Sequence, residues 1–251
     1  MVDFVKKYWK TILFFAVCGL VGGFFVGLYQ MDSYPEEIRQ EILSQGISNV
    51  LLGAISAVQA AGYGLVLGAA GIFLGKKTGL WKDERKLEKK PLTCTAIVAI
   101  LGGMLLILSD LLFFGNYSDA IRESYAVKPT VTYILAAVVY GGVIEEVMLR
   151  LFFMSLLAFL LQKLFRKGSG TTGLLIAANL IAALLFAAEH LPATVMLFGE
   201  LTVPILVRCF LLNGGFGLLF GWLYRKYGIQ YAMLSHALLH VISKTVWALA
   251  L

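Results

Sequence analysis

The sequence predicts an all-α fold, a polytopic transmembrane helical bundle of about seven to eight helices, and three observations carry that expectation. Of its 251 residues, 59% are hydrophobic and only 14% are charged, whereas a soluble domain is about 25% charged. About seven stretches reach the roughly 20 apolar residues that a membrane-spanning helix needs. The loops between those stretches alternate in charge.

The apolar stretches are Thr11–Tyr29, Ile47–Gly75, Cys94–Phe114, Thr130–Leu161, Thr171–His190, Val203–Tyr224 and Ile229–Leu249. The second and fourth are long enough to tilt, kink or split, which is how an eighth helix would arise. No linker, low-complexity tract or internal repeat separates them, so residues 1–251 are expected to form a single integral membrane domain. The first stretch follows Lys6, Lys7 and Lys10 but is too long for a signal-peptide core and is followed by no small-residue cleavage site. It reads as a retained signal-anchor helix.

Basic clusters at Lys6–Lys7–Lys10, the Lys76–Lys90 loop, Lys163–Arg166–Lys167 and Arg225–Lys226 alternate with acidic or weakly charged loops at Asp32–Glu41, Gly115–Lys128 and Leu191–Thr202. The positive-inside rule then gives a multi-pass cell-membrane protein with a cytoplasmic N-terminus and an outside C-terminus. Lys244 breaks the alternation and is expected to snorkel to the interface. The net charge of +6 is thus spent on topology, and no nucleic-acid partner is expected. Cys18, Cys94 and Cys209 lie apart within apolar segments and read as packing or lipid-facing residues rather than a disulfide framework. Glycines at four-residue spacing, Gly19/Gly23/Gly27, Gly64/Gly68, Gly71/Gly75 and Gly217/Gly221, allow close helix contact. Packing within one bundle is the first reading of them and homodimerisation the second, so monomer and homodimer both stay open.

The fourth stretch contains Gly142-Val143-Ile144-Glu145-Glu146-Val147-Met148-Leu149-Arg150. Each charged residue near the middle of a spanning helix costs roughly 2.5–3.5 kcal/mol on translocon scales, so such groups face a polar interior or do chemistry. Glu146 and Arg150, at i and i+4, share a helical face and can pair. Glu145, about 100° away on an α-helix, has no basic partner on its own helix and is left available. The three histidines fall in later apolar stretches: His190 ends the fifth, and His236 and His240 sit at i, i+4 in the seventh. A lone histidine on an apolar face is ordinarily a satisfied core residue. Two on one stripe, in a chain with an intramembrane Glu pair, point to a shared polar pocket.

Glu145-Glu146-x-x-x-Arg150, Phe186-x-x-x-His190 and His236-x-x-x-His240 resemble, in order and on separate helices, the EExxxR, FxxxH and HxxxN motifs of the CPBP (CAAX protease and bacteriocin-processing, or Abi) family. The resemblance covers a core of residues 130–248. It implies an intramembrane endopeptidase of CAAX-protease type, acting on a membrane-anchored and in some members prenylated peptide. Carried over motif by motif, Glu145 would be the general base, His190 would help hold the water, and His236 would polarise the scissile carbonyl. Glu146 with Arg150 would fix the local charge, and Phe186 would pack beneath His190.

His240 departs from the family pattern, which has Asn at that position. A neutral imidazole can still donate one hydrogen bond to an oxyanion. It also makes a zinc site from His190, His236, His240 and Glu145 conceivable, although the resemblance favours a metal-free site. Depth poses a further question, because His190 lies near the outer end of its stretch and His236 nearer the inner end of its own. The fifth helix is therefore expected to end inside the bilayer at Leu191–Pro192, shielded by protein. Two other function classes remain: a proton-coupled transporter using these groups as a relay, and a catalytically silent bacteriocin-immunity or scaffold protein.

Overall fold

The computed structural model describes residues 2–83, 87–165 and 172–250. Lys86, Arg166, Lys167 and Thr171, used above to place loops and boundaries, lie outside the described residues. The described chain is helical, with no strand.

Helix α1 spans Val2–Ser33 and is followed by the short α2, Glu36–Ser44. Helix α3, Asn49–Thr78, begins where the Ser48 side chain accepts a hydrogen bond from Leu51 N at 3.2 Å. It stops at Gly79, whose φ of 77° is the left-handed cap conformation that glycine adopts without strain. Helix α4 covers Lys89–Leu112, and a short α5 covers Asp119–Ser124.

The fourth apolar stretch forms one continuous helix over residues 131–164. It starts as α6, Val131–Leu135, and ends as α7, Ser155–Leu164. Between them, Ala136–Met154 is wound as a π-helix, with i→i+5 bonding that is rare and concentrates at functional sites. The sequence pattern was read on an α period, and the wider turn is not visible in it. Next come α8, Thr172–Glu189, and α9, Leu191–Phe198. A helix of α10, Val203–Cys209, a π-wound turn Phe210–Gly214 and α11, Gly215–Tyr227, follows, and α12 covers Ile229–Ala250.

Among the described residues, six helices are long and apolar enough to cross a membrane: Asp3–Ser33, Asn49–Thr78, Lys89–Asn116, Thr172–Phe198, Val203–Tyr227 and Ile229–Ala250. The helix over residues 131–164 is the remaining expected stretch, the fourth, and it carries Glu145, Glu146 and Arg150. Large exposed side chains such as Phe14, Val58, Val66, Leu101 and Leu211 coat the helices, as a lipid-facing surface requires. The chain is a multi-pass membrane protein.

The break expected at Leu191–Pro192 falls inside the span: α8 ends at Glu189 and His190 forms a turn before α9. Pro192 falls in the first turn of α9, where its missing N–H breaks no bond, and Thr194 N bonds His190 O at 2.9 Å across the junction. The span therefore runs over Thr172–Phe198, and His190 lies inside it rather than at its end.

The π-wound stretch packs against α1, α3 and α12, which places it centrally. Glycines make these approaches close. A Cβ on Gly23 would lie 2.7 Å from the Ala60 Cβ of α3, and one on Gly142 would lie 2.7 Å from the Ala237 Cβ of α12. The first contact uses the Gly19/Gly23/Gly27 face within the chain itself. The second brings the Glu145–Glu146 turn directly against the histidine helix.

The two ends of the bundle differ chemically. At one end Asp83 accepts hydrogen bonds from Tyr8 at 2.6 Å, Trp81 at 3.0 Å and Lys7 at 3.1 Å. The Tyr8 bond, helped by those of Lys7 and Trp81, holds the Asp83 carboxyl well below the usual carboxylate range. At the other end Asp110 of α4 is gripped by Arg208 through two bonds of 2.5 Å and receives Tyr125 Oη at 2.8 Å. Burial first, then the Asp110 carboxylate, pushes the Tyr125 phenol up and keeps it a donor.

Candidate active site

Glu146 is fully buried on the π-wound stretch, and its Oε1 meets two partners. Arg150 Nη1 lies 3.1 Å away and His236 Nδ1 2.9 Å away. The guanidinium is 4.1 Å from the Phe186 ring centroid and 5.5 Å from that of Phe220, so two aromatic faces supplement one carboxylate. The pairing expected from i, i+4 spacing thus survives the π winding. Removing either partner would strand a buried charge.

From Glu146 the polar contacts run along α12. His236 is stacked on Phe220 at 4.5 Å, and its Nε2 lies 3.2 Å from His240 Nε2. A carboxylate only accepts, so His236 carries its proton at Nδ1 and presents a lone pair at Nε2. His240 must then donate from Nε2, which leaves its Nδ1 an acceptor. That Nδ1 is buried without a hydrogen-bond partner. His236 is 4% exposed and has both nitrogens engaged by protein, so the free nitrogen of this helix belongs to His240.

His190 completes the cluster from α8. Its Nδ1 lies 2.7 Å from the Phe186 carbonyl, which fixes the proton there and leaves Nε2 as an acceptor. Phe186 packs edge-on to both His190, at 4.6 Å, and His236, at 6.1 Å. His190 and His240 interact electrostatically. The separation in depth inferred from sequence is removed because His190 sits within a longer span.

Glu145 is half-buried and, among the described residues, makes no hydrogen bond or ion pair. A Cβ on Gly141 would lie 3.3 Å from His240 Nε2 and 3.8 Å from Glu145 Oε2, so both groups border one space beside that glycine. The structure therefore brings together Glu145, Glu146, Arg150, Phe186, His190, His236 and His240.

Three neighbours were not assigned to the site from the sequence. Glu189 interacts with Glu145 and Arg150, and Tyr140 interacts with Glu145 and Glu189. An acid directly before His190 in an otherwise uncharged run was a readable signal. Tyr140 gave none, since tyrosine is ordinary in a spanning helix. Lys244 is the third, and here an expectation is corrected. It does not snorkel to the interface but is 5% exposed, with Nζ donating to Tyr133 Oη at 2.8 Å.

Among the described residues, no three His, Cys, Asp or Glu side chains converge as a metal would require. The paired Nε2 atoms of His236 and His240 are the nearest approach to a ligand set. A polar cavity of about 470 Å³ lies at the opposite, basic end, lined by Trp81, Lys82, Asp83, Glu88, Lys226 and Tyr231 among others. It contains none of the histidines.

Fold and cluster together define a polytopic helical membrane protein with a carboxylate–histidine site inside its spans. Residues 127–242 match the model of the Rce1-like family, described as type II CAAX prenyl endopeptidase Rce1-like. That segment is similar to the CAAX-protease family and holds all seven clustered residues. No curated protein and no solved structure gives a match.

Proposed function

We propose that the chain is an intramembrane peptide hydrolase in which Glu145 activates water to attack a peptide bond of a membrane-associated, lipid-modified substrate. The observation that carries this reading is the unequal fate of two adjacent carboxylates. Glu146 is consumed by Arg150 and His236, while Glu145 stands unpaired beside His240.

In this reading a water donates one hydrogen to Glu145 and the other to His190 Nε2. Glu145 removes the proton as the oxygen attacks the scissile carbonyl carbon, and the same proton passes to the leaving amine as the C–N bond breaks. The sequence assigned carbonyl polarisation to His236. With both nitrogens of His236 engaged, we assign that role to the neutral His240, whose Nε2–H borders the same space as Glu145 and turns from His236 to the carbonyl oxygen as charge develops there. We read the site as metal-free and the N-terminus as cytoplasmic, in keeping with the basic clusters gathered at the Asp83 end.

The test uses purified protein in liposomes with a quenched-fluorescent, lipid-modified peptide. Glu145→Gln is expected to lose about 100- to 10,000-fold in turnover, the range for a positioned general base. Its elution and thermal transition should match wild type, because Glu145 holds no structural partner. A wild-type rate in Glu145→Gln would end the assignment.

A further inference from the structure

Several phenols buried or half-buried in this bundle have firm oxygen partners. Tyr8 donates to Asp83 at 2.6 Å, Tyr125 donates to Asp110 at 2.8 Å, and Tyr224 pairs with Ser155 at 2.9 Å. Tyr140 differs. It is half-buried, and among the described residues its hydroxyl contacts the Met148 sulfur alone, at 3.9 Å. A thioether is a weak acceptor, whereas a buried tyrosine hydroxyl usually has a hydrogen-bond partner. This O–H is therefore readily turned toward a better acceptor.

The winding of the helix decides where that hydroxyl lies. The i→i+5 pattern sets Glu145 one turn beyond Tyr140. Met148 is three residues past Glu145, so a phenol that reaches its sulfur crosses the turn bearing the general base. The electrostatic interactions of Tyr140 with Glu145 and Glu189 agree with that course. At its root the residue is held against α1, where a Cβ on Gly22 would lie 2.7 Å from Tyr140 N and 3.1 Å from its Cβ. The next residue, Gly141, has no side chain. The space where its Cβ would stand is bordered by His240 Nε2 at 3.3 Å and Glu145 Oε2 at 3.8 Å.

We propose that Tyr140 is a further catalytic residue, whose hydroxyl donates a second hydrogen bond to the oxyanion formed when water attacks the scissile carbonyl. This rests on the peptidase reading above. His240 supplies one donor from α12, and the phenol supplies the other from the helix of Glu145 itself. A developing oxyanion has lone pairs for both, and donors aimed at it in advance lower the barrier. A phenol stays protonated up to about pH 10, so Tyr140 gives a hydrogen bond and keeps its proton. The proton of the attacking water still passes to Glu145 and then to the leaving amine. The sulfur holds the hydroxyl in place beforehand, and exchanging that weak partner for a charged oxygen is favourable.

The test uses Tyr140→Phe, which removes one oxygen and keeps the ring, in liposomes with the quenched-fluorescent, lipid-modified peptide. Elution and melting should match wild type, because the lost contact is weak. The kcat is expected to fall about 100-fold with KM little changed, as for a donor used in the transition state. A phosphinate analogue of the peptide, whose tetrahedral anion imitates the intermediate, should lose affinity for Tyr140→Phe by a similar factor. Met148→Leu conserves volume and spares the phenol, so its rate should stay within about threefold of wild type. A wild-type kcat in Tyr140→Phe overturns the proposal and leaves the Glu145 reading intact. Unchanged phosphinate affinity beside a slowed kcat also overturns it, since Tyr140 would then act through Glu145. Equal losses in Met148→Leu and Tyr140→Phe would make the contact structural, and the proposal fails. Absence of cleavage by wild type removes the peptidase reading and this one with it.

Discussion

His240 is the residue whose chemistry the rest of the cluster decides. Glu146 fixes the His236 proton at Nδ1, His236 then accepts from His240, and the one unsatisfied ring nitrogen is His240 Nδ1. The resemblance places asparagine at this position, and the two residues differ in what they can bind. Asparagine can donate to His236, but it is a poor zinc ligand. Under the metal-free reading His240→Asn should retain activity to within about tenfold, while His240→Ala, which removes the donor, should lose about 100-fold or more. Metal analysis of the purified protein, beside an assay with and without chelator, reads the alternative. Stoichiometric zinc in wild type that vanishes in His240→Asn together with activity would overturn the metal-free mechanism.

At the scale of elements, two helices create the site by touching almost backbone to backbone. The contact of Gly142 with Ala237 allows Glu146 to reach His236 at 2.9 Å from another helix. Gly142→Ala places a methyl where 2.7 Å is available, so the helices must separate. Overpacking of this kind costs about 1–3 kcal/mol, and activity should fall at least tenfold. The double variant Gly142→Ala with Ala237→Gly removes only the side-chain contact, since the Ala237 Cα at 2.9 Å and N at 3.1 Å remain, and should recover only a small part of the loss. Thermal melts and turnover of the three proteins provide the check, and a wild-type melt and rate in Gly142→Ala would show that the contact does not set the site. The sequence made the Glu146–Arg150 pair legible because it depends on spacing along one helix. The π winding was not legible, since apolar residues on every side erase the period that would reveal it. The break before Pro192 was legible, but the resumption of the span as α9 was not, since proline can follow one helix and also open the next. Lys244 was misplaced because its partners, Tyr133 and Trp247, are distant in sequence or unremarkable in composition.

Across the whole molecule the polar groups divide by end, and that division makes the orientation of the bundle in a membrane testable. Lys7, Lys76 and Asp83 come together at one end with the cavity lined by Lys82 and Lys226. Asp110, Tyr125 and Arg208 come together at the other, where Lys128 also bonds the Ala248 carbonyl. Helices whose ends gather in this way cross the bundle alternately, as the loop charges anticipated. Which end faces the cytoplasm is set by the excess of lysine and arginine in short loops. Single cysteines at Lys82 and Glu123, both exposed in the structure, report on the two ends. They are best introduced after Cys18, Cys94 and Cys209, all free thiols, have been replaced. In intact cells a membrane-impermeant maleimide is expected to label Glu123→Cys, and Lys82→Cys should react only after the membrane is opened. Labelling of both from outside would place the two ends on one side and contradict the bundle itself. The reversed pattern would keep the bundle but turn it over, placing the Asp83 end outside.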